Sequence, residues 1–110
     1  MGIQHEGLAG GGWFRLSLAE QLGNIGSEVG RASSWRDKGQ QEYFEKAFSR
    51  SLELLDLTLS DDRWKGARRR EIARARDQVC EVLTEYNDAE ALKSLNEYFY
   101  RFALLSRKST

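Results

Sequence analysis

SLAEQLGNIGSEVGRAS, residues 17–33, decides the fold. Ser17-Leu18-Ala19-Glu20 has the form of a capping box, in which the serine hydroxyl accepts from the backbone N–H three residues on and the glutamate reaches back. Leu18, Leu22, Ile25, Val29 and Ala32 then recur every three or four residues, an apolar seam that predicts a helix from Ser17. Beside it runs a second seam of small residues, Ala19, Gly23, Gly26, Gly30 and Ser33. Each glycine inside a helix costs about 1 kcal/mol relative to alanine. Three on one face therefore predict close approach of another backbone or a flat ring at Gly23, Gly26 and Gly30. Gly39, just after Lys38, supplies the stop.

The same reading extends outward. A second helix is expected from about Gln40 to Leu59, with Tyr43, Phe44, Ala47, Phe48, Leu52, Leu54, Leu55 and Leu59 on a wide apolar face. Ser60-Asp61-Asp62 breaks the pattern and offers caps for a third helix reaching about Tyr86, loose at its first turn around Gly66. Its seam is Ile72, Ala75, Val79, Val82/Leu83 and Tyr86. A fourth helix starts near Asn87 or Ser94 and carries Leu92, Leu95, Tyr98, Phe99, Phe102 and Leu105 inward. The chain contains no proline, as suits long uninterrupted helices. Four amphipathic segments with short connections predict an all-α, antiparallel up-down-up-down four-helix bundle over residues 13–110, with the aromatic fourth helix against the glycine seam. Residues 1–12, with five of the ten glycines and no stripe, are expected to form a flexible arm.

At 110 residues the chain can build one core but not two. Seventeen basic side chains balance seventeen acidic ones, so nucleic acid would not coat the whole surface. Cys80 is the sole cysteine, which leaves no internal disulfide and suits a reducing compartment. With no charged-then-apolar leader and no apolar run of membrane-spanning length, a cytoplasmic protein without membrane association is expected.

Catalytic chemistry finds little to work with. The sole histidine, His5, lies in the expected arm, so neither a di-iron bundle site nor a zinc site can be assembled around histidines. The pairs Glu42/Glu45 and Glu53/Asp56 share one helix face, and a row on one convex face cannot surround an octahedral ion. Cys80 reads as a small buried hydrophobe beside the third helix's seam. A non-enzymatic protein with no cofactor, no metal and no small-molecule substrate is the expectation.

The informative stretch is Arg63 to Arg76, which holds Arg63, Lys65, Arg68, Arg69, Arg70, Arg74 and Arg76 against the single acid Glu71. Arg70 and Arg74 point away from the seam, Arg69 and Arg76 flank it, and Arg68 falls almost on it. Two readings stand side by side. Arg68 and Arg76 can bridge to acids of a neighbouring helix, Glu53 or Asp56. Alternatively Arg69, Arg70, Arg74 and Arg76 form a patch for RNA, DNA or an acidic protein. On the last helix Tyr100 and Leu104 fall opposite the core stripe, where they could dock on another copy, so a homo-oligomer is expected. A pure protein–protein adaptor with structural arginines is the alternative.

The runs LSLAEQLGNIGSEVGRA (16–32), AFSRSLELLDLTLSDDRW (47–64) and YFYRFALL (98–105) resemble small helical proteins of uncultivated prokaryotes. In architecture such chains are similar to a four-helix-bundle group. It includes proteins encoded in ribosomal-RNA intervening sequences and the accessory variability proteins of diversity-generating retroelements. The resemblance implies a ring-like oligomer that holds a reverse transcriptase and its template RNA through basic surfaces. It transfers no individual residue.

Overall fold

The computed structural model describes residues 11–85 and 88–108. His5 and residues 1–10 of the expected arm, together with Tyr86 and the Asn87 cap, lie outside them. One 3₁₀ turn, Trp13–Arg15, precedes four helices: α1 (Leu18–Asp37), α2 (Gln41–Leu59), α3 (Ala67–Thr84) and α4 (Ala89–Lys108). They pack as an all-α up-down bundle in which α1 lies along both α2 and α4, and α3 closes the fourth side more sparsely.

The helix ends follow from local chemistry. At α1 both halves of the capping box are formed: Glu20 N–H donates to Ser17 Oγ at 3.1 Å, and Ser17 N–H to Glu20 Oε1 at 2.8 Å. Gly39, at φ 72°, ends it. Its N–H donates to the Arg36 carbonyl, and the Gln40 N–H donates to the Trp35 carbonyl. This pair of bonds is the Schellman arrangement, which needs a left-handed residue that glycine occupies without a Cβ clash. Asp88 Oδ1 accepts from the N–H groups of Glu90 and Ala91, so Asp88 caps α4. Arg36 Nη1 donates to the carbonyls of Val82 and Leu83, placing a cation on the C-terminal end of α3, where the helix dipole favours it.

The core joins Leu22, Ile25, Val29 and Ala32 of α1 to Phe44, Ala47, Leu54 and Leu55 of α2, to Ile72, Ala75, Val79, Val82 and Leu83 of α3, and to Leu95 and Phe99 of α4. Each Leu, Ile, Val or Phe side chain among them contributes about 1.5–3 kcal/mol by leaving water, set against ordering entropy. Trp13, ahead of the first helix, is as buried as any of them, at 0% exposure.

Four expectations need correction. First, α3 begins at Ala67 behind Gly66, not at Ser60-Asp61-Asp62, because Asp61 is engaged elsewhere and caps nothing in α3. Second, Leu105 is exposed. Glu71 of α3 meets Tyr98 of α4, and Leu105, two turns beyond Tyr98, runs past the N-terminus of α3. Third, Tyr43 is half exposed, with one ring face stacked on Trp35 at 4.8 Å. Fourth, Cys80 is only half-buried, since it sits beside the seam and not on it.

Candidate functional site

The Ile72/Ala75/Val79 stripe that buries α3 turns Arg69, Arg70 and Arg74 outward. All three are exposed, and none forms an ion pair with a described residue. Arg68, Arg69 and Arg70 occupy the first turn of α3, which holds no acid. A helix N-terminus carries about half a positive charge, so cations there are disfavoured by roughly 0.3–1 kcal/mol each when exposed. Helix stability alone would choose the opposite sign.

The other two arginines are committed. Arg76 forks onto Asp56 of α2, Nε to Oδ1 at 2.8 Å and Nη2 to Oδ2 at 3.3 Å, which raises its own pKa. It bridges as one of the two sequence readings has it, and this pairing takes it out of the free patch. Arg68 does not reach another helix; it pairs with Glu71 of α3 at 2.8 Å. Glu71 also accepts from the Tyr98 hydroxyl of α4 at 2.9 Å. Burial, then that carboxylate, push the Tyr98 hydroxyl pKa well above its ordinary value, and Arg68 and Arg101 oppose the shift. Arg101 thus extends the basic surface from α3 onto α4.

Antiparallel packing sorts charge along the bundle. The half containing residues 11–27, 50–75 and 98–108 carries eleven basic and six acidic side chains. The half containing residues 28–49, 76–85 and 88–97 carries six basic and ten acidic. A chain neutral overall therefore presents one positive end, and the Arg69/Arg70/Arg74 face belongs to it.

That end is held together by a buried polar knot which periodicity does not reveal. Gln21, fully buried, donates from Nε2 to the Trp13 carbonyl (2.9 Å) and to Asp61 Oδ2 (3.1 Å). Its Oε1 accepts from Trp64 Nε1 at 2.8 Å. Arg63 clamps Asp61 through Nε and Nη2, and Nη2 also donates to the Leu16 carbonyl. The Arg63 hydrogen bonds, with help from Gln21 and against the cost of burial, hold the Asp61 carboxyl well below its ordinary 3.8, at about 2. A carboxylate depressed in the folded state adds stability above its unfolded pKa and loses it as pH falls towards the folded one. Asp61 is therefore expected to contribute about 2 kcal/mol at neutral pH, lost between about pH 4 and about pH 2. Urea unfolding across that range checks it: Asp61→Asn should lower stability at neutral pH and flatten the acid limb.

On the opposite side, α1 and α4 approach closely. A Cβ built on Gly26 would lie 2.5 Å from Phe99 Cβ, and one on Gly23 would lie 3.1 Å from Ala103 Cα. A Cβ on Gly30 meets nothing within 4 Å among the described residues, which give no reason for glycine there. Outside this contact runs an open groove of about 770 Å³ lined by Gly23, Gly26, Leu92, Asn96, Tyr100 and Ala103, among others. Tyr100 is 55% exposed and Leu104 38%.

The carboxylate stripe of α2 faces solvent: Glu42 pairs with Lys46, Glu45 accepts from Gln41, and Asp56 holds Arg76. Among the described residues no group of three or more His, Cys, Asp or Glu is placed to hold a metal ion, and no helix is long and apolar enough to cross a membrane. No family model, curated protein or solved structure matches this chain.

Proposed function

We propose that the protein is a non-enzymatic binding and assembly module that holds RNA against the positive end of its bundle, with Arg69, Arg70 and Arg74 as the contacts. One observation carries this reading: three exposed arginines without ion partners among the described residues, two of them in the first turn of α3, where the helix dipole penalises cations. Phosphate reverses that penalty, because it meets guanidinium forks and the unpaired N–H groups of a helix N-terminus together. Lys65 widens the footprint. The similarity in architecture to the four-helix-bundle group that includes retroelement accessory proteins, which hold a reverse transcriptase and template RNA, supports the same reading.

Anisotropy of a labelled RNA hairpin at two salt concentrations tests it. Binding should weaken steeply with salt. Arg69→Glu/Arg70→Glu/Arg74→Glu should abolish it at moderate salt and lower the salt slope by about 2–3, roughly one unit per lost phosphate contact. Arg76→Ala should lower the melting temperature through Asp56 yet leave RNA affinity nearly unchanged. No binding at low salt, or binding indifferent to the triple substitution, overturns the reading. The exposed Tyr100 and Leu104 favour a protein-adaptor role instead, and that role would stand in such a case.

A further inference from the structure

We infer that α4 pairs antiparallel with α4 of a second copy, forming a two-fold homodimer. The helix contributes only Leu95 and Phe99 as fully buried side chains, while three of the exposed large hydrophobics, Tyr100, Leu104 and Leu105, fall within one short stretch of it. Alongside Leu104 runs an exposed charged stripe: Glu90, Glu97, Arg101 and Lys108. At 100° per residue these four share one side of the helix, opposite Leu95 and Phe99. None of them forms an ion pair with a described residue.

The stripe is self-complementary in one orientation only. Its two acids are seven residues apart, and so are its two bases. Antiparallel alignment about a two-fold axis level with Phe99 sets Glu90 opposite Lys108 of the second copy and Glu97 opposite its Arg101, and symmetry repeats both pairs. Parallel alignment would oppose like charges. Exposed ion pairs add little affinity by themselves, so they set register and direction, while burial of Tyr100 and Leu104 supplies the attraction. The second copy is favoured over another partner because the order of Glu90, Glu97, Arg101 and Lys108 along α4 is its own complement, with the exposed Lys93 set to the Tyr100 side of that stripe. This does not rest on RNA binding: Arg69, Arg70 and Arg74 take no part.

Light scattering coupled to gel filtration, on the full chain without nucleic acid, tests the pairing. Wild type should run as a dimer, and Leu104→Glu as a monomer. Glu90→Lys/Glu97→Arg and Arg101→Glu/Lys108→Glu should each be monomeric alone, since each makes the stripe one sign. Mixed in equal amounts, they should form a heterodimer. All are exposed positions, so unchanged far-ultraviolet circular dichroism is expected for each variant. A wild type that stays monomeric at high concentration overturns the inference, as does a dimer that survives both reversals, or reversed variants that fail to pair.

Discussion

Gly26→Leu is expected to lose roughly 3 kcal/mol of stability or more, because it drives α4 away from α1. Even the first added carbon has no room: it would sit 2.5 Å from Phe99 Cβ, and Phe99, 1% exposed, is wedged in the core. Neither side can yield cheaply. Alanine at position 26 should therefore destabilise as well, although alanine is favoured over glycine in a helix by about 1 kcal/mol. Gly30 gives the internal control. No described residue lies within 4 Å of a Cβ there, so Gly30→Ala should raise stability by about 0.4–1 kcal/mol through helix propensity and a less flexible unfolded chain. Gly23, with a 3.1 Å contact to Ala103, should fall between them. Chemical denaturation of the three alanine variants orders the series. A neutral Gly26→Leu, or equal effects at 26 and 30, would mean that α4 does not pack where the structure places it.

The glycine series also shows what the sequence could and could not say. Spacing placed Gly23, Gly26 and Gly30 on one face and called for a close neighbour, and α4 meets the first two. It could not tell that Phe99 stops short of Gly30, since the crossing of two helices is a property of the pair. The ends of α1 were legible because capping boxes and glycine stops are local chemistry. The start of α3 was not. Asp61 has the composition of a cap, but Gln21 and Arg63 claim its oxygens, and that competition spans forty residues of chain between Gln21 and Asp61. The arginines divide on the same line. Which of them leave the core face follows from periodicity, and so does the pairing of Arg68 with Glu71, three residues on along the same helix, whereas the partner of Arg76 depends on which acid the fold brings within reach.

Trp13→Ala is expected to cost about 3–5 kcal/mol, the range for emptying a large core site. On a domain of this size each kcal/mol lowers the melting temperature by roughly 4–8 °C. The indole is wholly buried and bonded as well: Nε1 donates to Thr58 Oγ1 at 3.0 Å, and Thr58 Oγ1 in turn donates to the Leu54 carbonyl. Its backbone carbonyl is a partner of Gln21, so the segment ahead of α1 belongs to the core and to the knot together. Packing and hydrogen bonding can be separated. Trp13→Phe keeps most of the volume and removes the donor. Thr58→Val keeps the shape but strands the indole N–H in the interior, at about 1–3 kcal/mol. If the bond contributes as the geometry implies, Thr58→Val should cost less in the Trp13→Phe background than in the wild type. Strict additivity would mean that Trp13 acts by bulk alone.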